Sequence, residues 1–260
     1  MPGRKAPLEK ILNMNEVSAP HGAFGKQPTI TRLSNILFDM DGVLINSEPL
    51  HEFTLLELSS QFGRRFENES ELQQFKGLPE VSIASLLKQI FPAVALENQE
   101  ITRLRLEQLL ANFHVVEMIE GALEFVKRCK ASGFRLGLTT SAARAIQQLA
   151  FEKFGLSKHF DAVVTGEDIQ RGKPDPEPYL LTAARLAQPA AACMVIEDAV
   201  SGVISGKAAG CFVVGITTSF PAKDLAAAGA DLVLASFGDL ECRMVDLASR
   251  ECGKTASAHN

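Results

Sequence analysis

The chain has 260 residues, 46% of them hydrophobic and 22% charged, which is the composition of an ordinary globular protein. Its formal net charge of −5 argues against a nucleic-acid surface, and no apolar run approaches the roughly 18–20 residues of a membrane span. Since the N-terminus also lacks the apolar core of a secretory signal, we expect a cytoplasmic protein that binds neither nucleic acid nor membranes.

Residues 1–33 are rich in Gly, Pro, Asn and Ser without sustained periodicity, which predicts a flexible N-terminal extension. A first strand is predicted at 35–39, within a core segment of residues 34–48. From 49 to 118 the apolar spacing is helical and no strand is indicated. The first helix has Leu50, Phe53, Leu56 and Leu58 as its apolar positions, and others are predicted at 82–91 and 101–113. This stretch is interpreted as a small helical insertion.

From 119 to 240, predicted helices and strands alternate. The helices are at 122–132, 142–154, 176–187 and 199–209, and the strands are at 134–139, 162–165, 193–197, 212–216 and 232–235. Such alternation indicates right-handed βαβ units, so we predict an α/β fold with a parallel sheet covered on both faces. Residues 241–260 are interpreted as a C-terminal helix or tail. A ligand site is expected at the carboxyl ends of the strands.

The first predicted strand ends in two carboxylates, Asp39 and Asp41, followed by Gly42. Two residues apart on an extended chain, both side chains point to the same side, and the glycine permits a sharp turn. Neighbouring carboxylates repel each other unless a cation lies between them. The pattern favours a divalent metal with a carboxylate nucleophile and an adjacent acid–base group, although a simple polar turn would have the same sequence.

Polar residues also lie at or near later strand ends. Thr140 and Ser141 follow one strand, where hydroxyls and backbone N–H groups can hold a phosphate oxygen. Lys173 precedes a helix, and Glu197 and Asp198 end another strand. Each has a purely structural explanation, as a helix cap, a solvated lysine or a charge pair favoured by the helix dipole. Their occurrence together at successive strand ends favours a single site.

The charges at these strand ends predict a bound metal ion. The carboxylates of Asp39, Asp41, Glu197 and Asp198 would repel an anionic substrate unless they were compensated. Mg²⁺ together with the Lys173 ammonium would offset most of this charge. Mg²⁺ prefers hard oxygen ligands, keeps several waters and binds phosphate directly, so the sequence predicts Mg²⁺ as cofactor and a small phosphorylated metabolite as partner.

Four motifs in chain order resemble those of the haloacid dehalogenase-like (HAD) hydrolase superfamily: Asp-Met-Asp-Gly-Val, Thr-Thr-Ser, Gly-Lys-Pro-Asp-Pro and Ile-Glu-Asp-Ala. The resemblance covers about residues 34–238. The insertion after the first motif is similar to the helical cap of the subgroup that contains beta-phosphoglucomutase and many sugar-phosphate phosphatases. The resemblance implies a Rossmann-like core, formed by 34–48 and 119–240, with a mobile helical cap at 49–118.

The resemblance also implies catalytic roles. Asp39 would attack phosphorus and form an aspartyl-phosphate, and Asp41 would protonate the leaving alkoxide and then deprotonate the hydrolytic water. Thr140 and Lys173 would hold the transferring phosphoryl oxygens, with Ser141 as a substrate-binding neighbour.

The metal ligands implied by the resemblance are the Asp39 carboxylate, the Asp41 backbone carbonyl and Asp198, with Glu197 bound directly or through water. Asp41 also separates chemistries within the superfamily, because true dehalogenases lack an acid at this position and ion-pumping members usually have threonine. Its presence favours phosphate-ester chemistry.

Three residues match cap or hinge positions of the beta-phosphoglucomutase-like subgroup, namely His51, Lys76 and Gly77. There the histidine lies near the acid–base aspartate, and the Lys-Gly pair belongs to the loop that selects the substrate. A histidine at a helix start and a lysine on a loop are also ordinary solvated residues, so each is interpreted either as functional or as merely solvated.

One departure from the subgroup bears on the reaction. The mutase has an arginine four residues after that lysine, which grips the non-transferring phosphate, whereas this chain has Glu80. A carboxylate would repel a bisphosphate, which favours hydrolysis, unless Arg64 or Arg65 compensates in space.

The predicted function is therefore a Mg²⁺-dependent phosphatase for a small phosphomonoester, such as a sugar or polyol phosphate. A phosphomutase is the first alternative. A phospho-acceptor signalling domain and an inactive binding relic are the others, disfavoured by the inserted cap and by the complete motif set. The sequence leaves the substrate and the choice between monomer and dimer open.

Overall fold

The computed structural model describes residues 33–66, 68–78 and 80–241. The extension predicted for residues 1–33 and the tail predicted for 241–260 therefore lie, except for one residue each, outside the described residues. Within the described part, no helix is long and apolar enough to cross a membrane.

The strands include those predicted for the core and two short additional ones. In chain order they are β1 (Asn35–Phe38), β2 (Ile45–Asn46), β3 (Glu117–Met118), β4 (Arg135–Thr139), β5 (Ala162–Val164), β6 (Cys193–Glu197), β7 (Phe212–Ile216) and β8 (Leu232–Leu234). Six of them form one parallel sheet in the order β5-β4-β1-β6-β7-β8. The chain thus builds outward from β1 first to one side and then to the other, which places a topological switch point at β1.

The helices alternate with these strands after residue 119 and follow one another before it. They are α1 (Glu48–Gln61), α2 (Glu69–Gln73), α3 (Glu80–Ile90), α4 (Asn98–Asn112), α5 (Ala122–Ala131), α6 (Arg144–Phe154), α7 (Glu177–Arg185), α8 (Val200–Ala208) and α9 (Ala222–Ala227). The sequence had predicted neither α2 nor α9. It had also missed β2 and β3, because two-residue strands carry too short a pattern to detect.

The sheet is apolar on both faces, as a parallel sheet between two helix layers must be. Along β1, Ile36 and Phe38 pack into one cluster with α5 and α6, and Leu37 packs into another with α7, α8 and α9. All three side chains are fully buried. The α/β class and the Rossmann-like core are therefore confirmed.

Helices α1 to α4 lie between β2 and β3 in the chain and enclose a hydrophobic cluster of their own. Its buried members are Leu55, Leu58, Phe75, Ile83, Ala84, Leu87, Phe91 and Ile101. The antiparallel pair β2–β3 joins this part to the sheet. We propose that residues 49–118 are a cap unit, supported by this separate cluster.

The apolar face predicted for α1 was partly wrong. Phe53 and Leu56 are 42% and 40% exposed, whereas Leu55 is buried beside Leu58. Because Leu55 and Leu56 are adjacent, the sequence alone does not identify which of them faces the interior, and packing against α4 decides it.

Candidate active site

The carboxyl ends of β1, β4 and β6 and the loop before α7 bring the predicted acids and lysine together. Asp39 follows β1 and is 7% exposed, and its N–H donates to the Ile196 carbonyl oxygen of β6 at 3.0 Å. Lys173 reaches Asp39 from the loop before α7, with its Nζ 2.5 Å from Asp39 Oδ1. The same Nζ lies 2.6 Å from Glu197 Oε1 at the end of β6. One ammonium group therefore bridges two buried carboxylates.

Glu197 is fully buried and has donors on both of its oxygens. Oε1 accepts from Lys173 and, at 2.7 Å, from the Tyr179 hydroxyl of α7. Oε2 accepts from the backbone N–H groups of Asp198 and Ala199, at 3.0 and 3.1 Å. This set of donors fixes the orientation of the Glu197 carboxylate.

Tyr179 was not singled out from the sequence. Its ring is fully buried and lies 5.1 Å from Lys173 Nζ, so it contacts both partners of the ion pair. A polar aromatic residue six positions after Lys173, on the first turn of a helix, was the available signal.

Gly42 allows the loop after β1 to approach Asp198. Its φ is +72°, and a Cβ built there would lie 1.8 Å from Asp198 Oδ2. Any other residue would therefore collide with this carboxylate as well as strain the backbone. The glycine that the sequence assigned to a turn also makes room for the Asp198 carboxylate.

The acids Asp39, Glu197 and Asp198 form a buried group whose oxygens all lie within 4.8 Å of one another. Burial raises the pKa of Asp39 to about 8, against the Lys173 ammonium, which lowers it. Burial, and after it the charge of Glu197, also raises the pKa of Asp198 well above its usual range. Buried oxygen donors that resist ionisation without a nearby cation fit a divalent metal ion.

Asp41 lies on the cavity side, with its side chain 30% exposed. Burial would raise its pKa, but the contact with His51, the hydrogen bond from Ser47 and the charge on Lys173 hold the pKa below its ordinary value. The Ser47 hydroxyl donates to Asp41 Oδ1 at 2.6 Å. His51 Nε2 is 3.7 Å from the same oxygen, so the prediction that His51 lies near Asp41 is confirmed.

The Thr140 hydroxyl is 3.4 Å from Asp41 Oδ2 and accepts from the Ala142 N–H at 3.0 Å. It is buried, whereas the neighbouring Ser141 lines the cavity. The Thr140 hydroxyl therefore closes a local turn with Ala142 and does not cap α6, whose N-cap residue Ala143 has no side-chain cap hydrogen bond. Ser141 is the more accessible of the two hydroxyl residues.

Arg105 is a buried cation that the sequence analysis missed. It lies on α4, is 1% exposed and places Nη2 2.7 Å from His51 Nδ1. Since the guanidinium can only donate, Nδ1 accepts and the ring proton is on Nε2, which faces Asp41. The signal was its spacing, because Arg105 stands midway between the buried Ile101 and Leu109, four residues from each.

A cavity of about 430 Å³ connects these groups to the cap. Lys76 and Gly77 line it, as the resemblance implied, and Phe220 lines it from the core. Arg65 is exposed and lies outside the lining, and Arg64 Nη2 instead bonds Glu71 and the Ile90 carbonyl oxygen within the cap. Neither arginine therefore supplies, at the cavity, the positive charge that is lost where the mutase arginine is replaced by Glu80. The side chain of Glu80 lies outside the described part of the structure.

Residues 36–216 match the family model of haloacid dehalogenase-like hydrolases. The chain belongs to this family and is an enzyme of it. Proteins of the family generally use a divalent metal ion, and the buried acidic group fits one.

Several relatives are similar over most of their length. The validoxylamine A 7'-phosphate phosphatase of Streptomyces hygroscopicus subsp. limoneus is 30% identical over 74% of this chain and 89% of its own. Hexitol phosphatase B of Escherichia coli K12 is 32% identical over 66% and 78%. Among solved structures, a putative beta-phosphoglucomutase from Bacteroides vulgatus has a TM-score of 0.70 and 27% identity, covering 83% of this chain and 90% of its own.

Proposed function

We propose that the protein is a Mg²⁺-dependent phosphatase that hydrolyses a small phosphomonoester through an aspartyl-phosphate on Asp39. The observation that carries the proposal is the Asp39–Lys173–Glu197 arrangement at the floor of a cavity, with Asp41 beside it. The phosphatases among the relatives support the reaction class.

In the first step, an Asp39 carboxylate oxygen attacks phosphorus and the bond from phosphorus to the ester oxygen breaks. Asp41, which this step requires to be protonated in the substrate complex, donates its proton to the leaving alkoxide, which departs as a neutral alcohol. Lys173 stabilises the negative charge that develops on the phosphoryl oxygens. Thr140 and Ser141 supply hydroxyl and backbone donors at the end of β4.

In the second step, Asp41 takes a proton from water as the water oxygen attacks the aspartyl-phosphate. The bond between phosphorus and Asp39 breaks, which releases inorganic phosphate and restores the carboxylate. The contacts from His51 and Ser47 stabilise the ionised form of Asp41 that this step requires.

We propose that Asp39, Asp198 and the Asp41 carbonyl oxygen hold Mg²⁺, with Glu197 bound directly or through water. When bound, the ion neutralises the acids and polarises the phosphoryl group. Among the described lining residues, six carboxylates face three cations, so an anionic substrate gains from this added charge. The lining acids are Asp39, Asp41, Glu48, Glu52, Glu197 and Asp198, and the lining cations are Lys76, Arg105 and Lys173.

The substrate is proposed to be a sugar or polyol phosphate. A cavity of about 430 Å³ accommodates a ligand of this size. Asn46, Glu48 and Glu52 on the cap side offer amide and carboxylate groups to hydroxyls.

A phosphomutase is the second candidate, and Arg105 is the observation that favours it. Its buried guanidinium lies at the cavity and would attract the second phosphate of a bisphosphate. Glu80, which stands where the mutase has an arginine, would repel that phosphate. A product that keeps its phosphate on another carbon, formed only with a bisphosphate activator, would identify this reaction.

The test is phosphate release from a panel of phosphorylated sugars, polyols and nucleotides, with Mg²⁺ or with EDTA. Asp39→Asn is expected to abolish turnover, because an amide is not a competent nucleophile. Trapping with ³²P-labelled substrate should label the wild type at Asp39 with a hydroxylamine-sensitive bond.

The matched control is Asp224→Asn on α9, which makes the same chemical change outside the cavity and should keep full activity. Unchanged turnover in a folded Asp39→Asn sample, or hydrolysis that resists EDTA, would contradict the proposal.

A further inference from the structure

The segment after β7, residues 217–220, contacts three separate parts of the site. The Thr218 hydroxyl donates to the Gly42 carbonyl oxygen at 2.5 Å, in the loop that carries the nucleophile. Ser219 lies beside Asp198, since a Cβ built on Gly42 would lie 2.7 Å from Ser219 Oγ and 1.8 Å from Asp198 Oδ2. Phe220 lines the cavity. A core segment without a recognised motif therefore joins the nucleophile loop, a metal-binding acid and the substrate chamber.

Phe220 also contacts the cap. Lys76 Nζ lies 5.7 Å from the centre of the Phe220 ring, within range of a cation–π interaction. A Cβ built on Gly77 would lie 3.3 Å from Phe220 Cζ, so the backbone of this cap loop rests against the edge of the ring. The ring thus fills the space between the cap loop and the core.

The other side of the ring is anchored in the core. Phe220 packs against the cluster that includes the buried Leu225 and Val213, while part of the ring remains exposed to the cavity. A side chain supported in this way cannot retreat when the cap loop presses on it. Its size therefore limits how closely the loop at Lys76 and Gly77 approaches the core.

We propose that Phe220 is a specificity-determining residue that sets the height of the substrate chamber by supporting the cap loop at Lys76–Gly77. It selects leaving groups that present an apolar C–H face to the ring, as a sugar ring or a polyol chain does. The proposal rests on the phosphatase function proposed above. Phe220 has no part in the transfer of the phosphoryl group itself.

The test compares a large and a minimal substrate in Phe220→Ala. Because the ring meets only the leaving group, kcat/KM for glucose 6-phosphate or sorbitol 6-phosphate should fall by about tenfold, mainly through KM, as for a lost apolar contact in a pocket. Acetyl phosphate, whose leaving group is too short to reach the ring, should change by less than about twofold. Phe220→Trp keeps an aromatic face and should retain the preference for the larger substrates.

Phe53→Ala is the matched control, since Phe53 is a cap phenylalanine that is 42% exposed and lies outside the cavity lining. It should leave both substrates unaffected. Equal losses on the large and minimal substrates in Phe220→Ala, or no loss on either, would overturn the proposal.

A second measurement does not depend on turnover or on the folding of the alanine variant. The chain contains no tryptophan, so in Phe220→Trp the indole emission comes from this position alone. Saturation of Asp39→Asn/Phe220→Trp with sorbitol 6-phosphate should shift that emission, and inorganic phosphate should not. If the wild type hydrolyses no phosphomonoester, the phosphatase proposal fails. The emission shift would still show whether a bound sugar phosphate contacts position 220, and the absence of a shift would reject the role proposed for Phe220.

Discussion

At the scale of single residues, the site depends on how Glu197 is held. Lys173 and Tyr179 both donate to Glu197 Oε1, and Lys173 also donates to Asp39. Removing one partner of such a buried ion pair leaves an uncompensated charge, which typically costs about 3–5 kcal/mol. Tyr179 therefore belongs to the charge network of the site, although it carries no charge itself.

Tyr179 offers a direct measurement of metal binding. It is the only tyrosine of a chain without tryptophan, so the intrinsic emission of the protein arises from its ring. Mg²⁺ near Glu197 should alter the hydrogen bond at the Tyr179 hydroxyl, and we expect a saturable emission change on addition of MgCl₂. Asp198→Asn should move the midpoint to a Mg²⁺ concentration on the order of 10–100-fold higher.

The control for this titration is KCl at the same ionic strength, which should leave the emission unchanged. A flat response of the wild type to MgCl₂ would count against a metal at this site.

Gly42 provides a second prediction for a single position. In Gly42→Ala the new Cβ collides with Asp198 Oδ2 and displaces it, so we expect kcat to fall by on the order of a hundredfold, as for misplaced catalytic groups in general. Gly155→Ala is the matched control, because Gly155 also has a positive φ (+66°) but open space around it. It should cost about 1–2 kcal/mol of unfolding free energy and leave kcat intact.

Steady-state kinetics and thermal unfolding of the two variants separate the effects. Equal losses of activity in both would show that the positive φ, rather than the contact with Asp198, makes the glycine necessary.

At the scale of secondary-structure elements, α4 connects the interior of the helical insertion to His51 and, through it, to Asp41. Its buried face carries Ile101, Arg105 and Leu109 at intervals of four residues. The helix therefore uses one position of its core-facing side to place a guanidinium against His51.

Arg105→Met should keep the packing of the side-chain stem and lose the hydrogen bond to His51 Nδ1. We expect kcat/KM to fall by on the order of tenfold or more, since a hydrogen bond to a charged donor contributes about 1.5–3 kcal/mol. His51→Gln should have a similar effect, and the double variant should be no worse than either, because both changes break one contact.

Arg103→Met is the matched control on the same helix. Arg103 is about half exposed and pairs with Glu107, and such surface pairs contribute at most about 1 kcal/mol, so activity should not change. Additive losses in the His51/Arg105 double variant would argue against a shared contact.

The sequence predicted elements well where their pattern is long and punctuated. Both β6 and β7 have the predicted bounds. The predicted α7 begins one residue too early and ends two residues too late, with the Glu177 N–H still bonded to Asp175. It failed for α2, α9, β2 and β3, which are too short to establish a period. It also chose the wrong face of α1 at Phe53 and Leu56, because tertiary packing selects among several apolar positions.

At the scale of the whole molecule, the buried acidic group makes stability depend on pH and on the proposed metal ion. Burial raises the pKa of Asp39 from an ordinary 3.8 to about 8 and raises that of Asp198 as well. The folded, metal-free protein therefore keeps protons that the unfolded chain has released. The contribution of Asp39 and Asp198 to the free energy of unfolding is therefore greatest below about pH 4 and falls as the pH rises towards 8.

Mg²⁺ bound as proposed would replace these protons, so its stabilising effect should grow with pH. We expect the increase in Tm on adding MgCl₂, relative to EDTA, to be larger at pH 8.5 than at pH 5.5. Thermal unfolding followed by circular dichroism at both pH values checks this. An equal or larger increase at pH 5.5 would contradict it, and Asp198→Asn should reduce the increase at either pH.

The sequence alone determined the α/β fold and the position of the acids at the ends of β1 and β6. It could do so because strand alternation and the order of motifs are local properties, and the carboxyl ends of parallel strands necessarily meet at one edge. Only the tertiary structure decided that Tyr179, Arg105 and Phe220 join this site. Their contacts with Glu197, His51 and Lys76 link segments that are distant in the sequence. Local spacing does not predict which buried polar groups or rings will come into contact across such distances.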